Sequence, residues 1–172
     1  MDCIWHYNSP LGGITLASDG EALCGLWFDG QKYFGAGLAR QQEQQQLFRE
    51  QRLPVFDDTC RWLDIYFSGK APDFTPKLNV RTTPFSKAIC EIMLTIPYGQ
   101  TATYKELASH YASLHGLQKI SAQAVGNAVA HNPISIIIPC HRVVGSDGAL
   151  TGYAAGLDKK ARLLQLEHSL PA

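Results

Sequence analysis

The first third of the chain alternates short apolar runs with turn clusters. Trp5-His6-Tyr7 leads into Asn8-Ser9-Pro10-Leu11-Gly12-Gly13, a concentration of turn-forming residues. Ile14-Thr15-Leu16 and Leu23-Cys24-Gly25-Leu26-Trp27-Phe28 read as strands hinged at Asp19-Gly20, which predicts an antiparallel sheet. Residues 38–53 are glutamine-rich and polar, the pattern of a solvated helix or loop. Between Thr59 and Ser68, Trp62, Ile65 and Tyr66 fall on one helical face and Gly69 closes the turn, so a short helix is expected there. From Ala71 to Arg81 prolines interrupt the chain without periodicity, which marks a linker.

Helical periodicity dominates the second half. Thr83-Pro84 pairs an N-cap with a proline at the first helical position, and Phe85, Ile89, Ile92 and Met93 hold one face until Pro97-Tyr98-Gly99. Thr103-Tyr104-Lys105-Glu106 is a capping box and starts a second helix through Leu107 and Ala108. Ser121 caps a third, which ends at Asn132-Pro133. Ala122, Ala124, Gly126, Ala128 and Ala130 make that helix slim. Such a surface suits close helix packing, and it also suits entry into a minor groove, which is about half as wide as a major groove. Ile134-Ser135-Ile136-Ile137-Ile138 is a continuous apolar run and reads as a buried strand that Pro139 cuts off. A hairpin at Gly145-Ser146-Asp147-Gly148 and a last helix from about Leu157 to Ser169 follow. The fold class is therefore α+β. Residues 1–78 form a small α/β domain with an antiparallel sheet, and 79–172 a mostly α winged helix-turn-helix domain.

Composition narrows the class. The 172 residues are 45% hydrophobic and 17% charged, ordinary for a folded globular chain. No segment has the apolar length of a membrane span, and the N-terminus lacks the layout of a signal peptide, so a cytoplasmic protein is expected. Five scattered cysteines fit a reduced compartment rather than a disulfide framework. Cys3, His6 and Cys24 match no zinc spacing, and no metal site is expected. Net charge is zero, which argues against a purely electrostatic nucleic-acid binder. The halves differ: residues 1–81 carry 8 Lys+Arg against 10 Asp+Glu, whereas 82–172 carry 7 against 5 and five of the six histidines.

The candidate chemistry lies at Pro139-Cys140-His141-Arg142-Val143. A thiol beside an imidazole can lose its proton to it directly or through one water, and the thiolate is the reactive form. The plain alternative is a core cysteine next to an unrelated histidine. Glu167 stands at the end of the last helix, where the helix dipole disfavours a carboxylate. A carboxylate that orients His141 would explain it and complete a Cys-His-Glu relay.

Several of these segments together resemble the O6-alkylguanine-DNA alkyltransferases. The resemblance rests on Ile138-Pro139-Cys140-His141-Arg142-Val143-Val144, with Asn132-Pro133 upstream and Thr151-Gly152-Tyr153, Leu163-Leu164 and Glu167 downstream. Pro97-Tyr98-Gly99-Gln100-Thr101, Tyr104 and Leu107 extend it, and Ser9-Pro10-Leu11-Gly12 is compatible with it. It implies a DNA repair protein that flips an O6-alkylated guanine from duplex DNA and moves the alkyl group irreversibly onto its own cysteine, without a cofactor. Cys140 would accept the alkyl group, His141 would act as its water-mediated base, Glu167 would orient His141, and Asn132 would brace the turn between the recognition helix and the active-site strand. Thr103, Tyr104, Gln123 and Ala124 would face DNA, with Tyr104 assisting base rotation, and Tyr153 and Ala154 would contact the guanine. The implied partner is double-stranded DNA bound through its minor groove, by a monomer. Gln123 departs from the family, which places an arginine there, and the stretch from Tyr111 to Ile120 is longer than expected between these helices. Other readings stay open: a lesion binder without transfer, which Cys140 argues against, a thiol hydrolase, or a winged-helix transcription factor.

Overall fold

The computed structural model describes residues 2–36 and 48–170. Strands β1 (Asp2–Ser9), β2 (Gly12–Ser18) and β3 (Leu23–Phe28) form the expected antiparallel meander, and β4 (Phe48–Glu50) adds to β1 in parallel, giving the order β3-β2-β1-β4. Most of the glutamine-rich stretch predicted as helix or loop lies outside the described residues; its tail is β4. Strand alternation, shifted by an irregularity in the β2–β3 pairing at Ala17–Ser18 that turns Cys24 away from Leu26 and Phe28, separates the two faces of the sheet. Ile14, Leu16, Leu26 and Phe28 join the main core, whereas Ala17, Cys24 and Trp27 form a small cluster on the other side. Cys3 joins the main core and Cys24 the opposite cluster, so the sheet separates them. Among the described residues no group of His, Cys, Asp and Glu could hold a metal ion.

Helix α1 (Pro54–Phe67) packs Phe56, Leu63 and Tyr66 onto the sheet's core face. It begins five residues before the predicted start, because Pro54 supplies a first-turn residue that needs no N–H partner. The linker follows irregularly, touching β3 through a bridge between Leu23 and Leu78. Arg81, at its end, grips both carboxylate oxygens of Asp2 at 2.8 and 3.0 Å. In the C-terminal half, α2 (Pro84–Met93), α3 (Tyr104–Leu114) and α4 (Ala122–Ala130) start where their caps predict. Thr83 accepts from the Ser86 N–H, Ser121 from the Ala124 N–H, and Thr103 and Glu106 complete a reciprocal capping box.

One core cluster runs through both halves. The Leu26 N–H donates to the Pro133 carbonyl and the Ser135 N–H to the Leu26 carbonyl, at 2.9 Å each, which ties β3 to the segment preceding Cys140. No described helix is long and apolar enough to cross a membrane.

The predicted strand at 134–138 is not a strand. Only Ile134 makes a ladder-type bridge, to Leu26; residues 135–137 turn, and Ile136 adopts a left-handed φ of 69°. The run is buried as expected, but burial does not distinguish a strand from a packed turn. Asn132 decides the outcome. Its side chain accepts from the Ile134 N–H at 3.0 Å and donates to the Ile138 carbonyl at 2.8 Å, satisfying backbone groups that a strand would pair with a neighbour. A β-branched residue in the left-handed region costs about 1–3 kcal/mol, so the turn before Cys140 is strained and over-determined by its packing.

The wing is also reduced. Strand β6 (Val143–Val144) pairs in parallel with β5 (Ala102–Thr103), not with a strand beyond the Gly145–Gly148 turn, which closes on the Ala149 carbonyl. Helix α5 (Leu157–Leu166) stops three residues short of Ser169 because His168 turns left-handed at φ 62°. Glu167 is its C-cap.

Candidate active site

Cys140, His141 and Arg142 form a single 3₁₀ turn, all three buried, directly after the strained Ile136 loop. The short turn aims consecutive side chains in different directions. Cys140 lines a surface pocket, while His141 and Arg142 contact Glu167 behind it.

Glu167 is 1% exposed and accepts four hydrogen bonds: Tyr66 Oη at 2.8 Å, His141 Nε2 at 2.7 Å, and Arg142 Nε and Nη2 at 2.9 Å each. Burial alone would raise its carboxyl, but the bonds and charges of His141 and Arg142 outweigh that and hold it at about 2. The carboxylate is thus ionised and can only accept. His141 Nε2 must therefore carry the hydrogen, and in the neutral ring Nδ1 keeps a lone pair. The Tyr66 hydroxyl lies 3.4 Å from Nε2 and gives its hydrogen to the carboxylate, which can only accept. Nδ1 is buried and has no hydrogen-bond partner among the described residues, which leaves a base with its lone pair free.

Burial pushes the Cys140 thiol up, against a hydrogen bond from Asn132 and the charge of Lys160. Burial pushes the His141 imidazole down, against the pull of Glu167. The resting pair is therefore thiol and neutral imidazole rather than an ion pair, and the site holds a protected nucleophile. Lys160 is fully buried and donates to the carbonyls of Val143, Thr151 and Gly152 at 2.5, 3.0 and 3.2 Å. Burial lowers it to about 8. It fixes the loop after β6 to the floor behind the cysteine.

The pocket brings together Cys140, Asn132, Tyr104, Tyr153 and Ala154, five of the predicted residues. Tyr104 reaches across to donate to the Thr151 carbonyl at 2.9 Å, tying α3 to the 151–154 loop. Thr103 serves as the α3 cap and pairs with Val144. Gln123 and Ala124 are exposed on the first turn of α4, outside the pocket lining, while Val125 and Val129 face the core. The 115–121 connection makes the α3–α4 turn longer than a compact helix-turn-helix, as the sequence length predicts.

Sequence reasoning missed three buried residues of the site. Lys160 was legible: with Leu163, Leu164 and Glu167 it repeats at helical spacing, so a lysine shares the buried face of α5. Arg142 follows the Cys-His pair within one turn, but nothing in the sequence pairs it with Glu167, 25 residues on. Tyr66 was read only as a packing residue; its hydroxyl contact with Glu167 spans 101 residues.

Comparison with known proteins agrees with this geometry. Residues 84–169 match the DNA binding domain of 6-O-methylguanine DNA methyltransferase, and residues 5–80 match its ribonuclease-like domain. The chain is 44% identical over 162 residues to the methylated-DNA–protein-cysteine methyltransferase of Methanosarcina barkeri, covering 94% of each chain. It is 38% identical over 167 residues to that of Mycobacterium tuberculosis, covering 95% of this chain and 93% of the relative. The crystal structure of Mycobacterium tuberculosis OGT in complex with DNA superposes with a TM-score of 0.81 at 35% identity, over 97% of this chain and 93% of the other. Both halves of the chain, the buried Cys-His-Glu arrangement and these relatives agree: the chain belongs to the 6-O-methylguanine DNA methyltransferase family.

Proposed function

We propose that this protein repairs DNA by moving the alkyl group of an O6-alkylguanine onto Cys140, in a single irreversible event without a cofactor. The observation that carries the reading is the pairing of a pocket-lining thiol with a histidine whose free nitrogen is fixed as a base by a carboxylate. A soft sulfur nucleophile suits displacement at an sp³ carbon. The thiol proton leaves through one water to His141 Nδ1, and the resulting imidazolium is stabilised by Glu167. The S–C bond forms as the O6–C bond breaks, and guanine departs with the electron pair and takes up a proton from solvent, to which the imidazolium returns its own. A thioether has no easy hydrolytic exit, so the protein is consumed.

Residues 79–172 form the DNA-binding unit in this reading and 1–78 the supporting one. The partner is double-stranded DNA met through its minor groove, where α4 presents Ala122, Ala124 and Ala130 outward. Flipping a base costs a few kcal/mol, less for a lesion that pairs badly. Tyr104 stands at the pocket rim to assist rotation, and the 152–154 backbone receives the guanine. Asn132 keeps the turn before Cys140 in place. The protein acts as a monomer, in the cytoplasm where that compartment holds the DNA.

Incubation with excess duplex carrying one O6-methylguanine tests the proposal. Repaired guanine equal in amount to the protein, with none for Cys140→Ala, supports it. Repeated turnover, or equal repair by Cys140→Ala, rejects it.

A further inference from the structure

Two residues in the pocket lining come from the N-terminal half. Lys32 and Tyr33 follow β3, yet they border the same cavity as Cys140. The segment is pinned from both ends. Gln31 is buried and accepts the Phe28 N–H on its side chain at 2.8 Å. The Lys32 N–H donates to the Ala154 carbonyl at 3.0 Å, which straps it to the loop on the other side of the pocket.

Tyr33 adopts a left-handed φ of 59°, which aromatic side chains rarely take. Such strain persists only where the surroundings over-determine it, and it concentrates at functional sites. Burial does not explain it, since Tyr33 is 48% exposed. Its ring instead lies on His131, with centroids 3.9 Å apart. His131 caps the C-terminus of α4, and its Nδ1 is 2.6 Å from the Asn127 carbonyl. An aromatic plate therefore runs from the end of β3 to the end of α4 along one side of the pocket. The neighbouring lining on α4 and the 152–154 loop includes the small Gly126, Ala130, Gly152 and Ala154 beside Val129 and Tyr153. The Tyr104 hydroxyl is tied to the Thr151 carbonyl and Tyr153 is part-buried, so of the three tyrosines in this lining Tyr33 is the exposed one that stacks on a neighbouring ring.

We propose that Tyr33, strapped in place through Lys32 and Ala154, is a size-selecting wall of the alkyl pocket contributed by the N-terminal domain. It rests on the transfer reading above and adds a determinant of which adducts reach Cys140. Small alkyl groups pass; a ring-sized group meets the Tyr33 plate.

The test measures single-turnover rates on duplexes carrying O6-methylguanine or O6-benzylguanine. It compares the wild type, Tyr33→Asn, which removes the ring but tolerates the left-handed backbone, and Tyr33→Phe, which keeps the ring. The benzyl-to-methyl rate ratio rises on the order of tenfold in Tyr33→Asn, the scale of a hydrophobic pocket's size discrimination, and returns to the wild-type value in Tyr33→Phe. An unchanged ratio in Tyr33→Asn, or both rates falling by one common factor, overturns the proposal. Thermal melting identifies a folding defect, in which case Tyr33→Gly, which also takes a left-handed φ and carries no ring, supplies the same ratio. A wild type that leaves Cys140 unmodified on both duplexes is a different result and sinks the transfer reading itself.

Discussion

Replacing Glu167 by glutamine probes the buried network most sharply. The carboxylate accepts from Tyr66, from His141 and twice from Arg142, and it has nothing to donate. An amide keeps one acceptor and gains a donor. If its oxygen takes the place of Oε1, the NH₂ faces Arg142 Nε; if it takes the place of Oε2, the NH₂ faces Tyr66, His141 and Arg142 Nη2. Either orientation sets a donor against a donor and leaves the Arg142 guanidinium, 9% exposed, without its counter-charge. Removing one partner of a buried pair costs about 3–5 kcal/mol. At about 2–4 °C per kcal/mol for a chain of this size, Tm falls on the order of 6–20 °C. Arg142 retains its bond to the Ile96 carbonyl, 2.7 Å, so the fold persists at low temperature. Transfer suffers as well, because no carboxylate remains to stabilise the imidazolium. The single-turnover rate at 10 °C drops about 10²–10⁴-fold, the usual weight of a positioned base. Differential scanning calorimetry and quenched-flow transfer read the two effects separately. A variant with wild-type Tm and a rate within about threefold of wild type would refute the reasoning on both counts, since a base that needs no orienting carboxylate is outside this mechanism.

Acid stability follows from the same group. Its folded value of about 2 lies below the ordinary 4.5, so its contribution is complete above pH 4.5 and disappears as pH falls through 2. The shift corresponds to about 3 kcal/mol, seen as the difference in urea unfolding between wild type and Glu167→Gln across that window. Asn132→Ala strands the Ile134 N–H, whereas the Ile138 carbonyl keeps the Cys140 N–H at 2.8 Å; at about 1–3 kcal/mol for one buried unsatisfied group, urea unfolding detects a loss of that size. Gln123→Arg adds an exposed cation to the first turn of α4. Duplex repair quickens, and the salt slope of DNA binding steepens by about 1 if the new charge meets a phosphate; an unaltered rate would count against α4 as the DNA-facing helix.

Much of the fold was legible because local chemistry determined it. The Thr83, Thr103 and Ser121 caps placed three helix starts to the residue, and the Asn8–Gly13 turn cluster placed the first hairpin. The failures occur where distant partners take over. Ile134–Ile138 has strand composition, but Asn132 supplies the hydrogen bonds that bend it. The Gly145–Gly148 turn was visible, yet β6 found its partner in β5, about 40 residues upstream. In the site, Cys140, His141 and Glu167 were readable as chemistry, whereas Tyr66 and Arg142 join Glu167 only through packing. Lys32 and Tyr33 were invisible, since nothing in a sequence brings a loop after β3 to a pocket lined by Cys140.

Intact-mass spectrometry after reaction with O6-methylguanine duplex, followed by peptide mapping, tests the central claim most directly. One added methyl group is expected, carried on Cys140 and absent from Cys140→Ala. An unmodified protein, or a methyl group on Cys3, Cys24, Cys60 or Cys90, would contradict it.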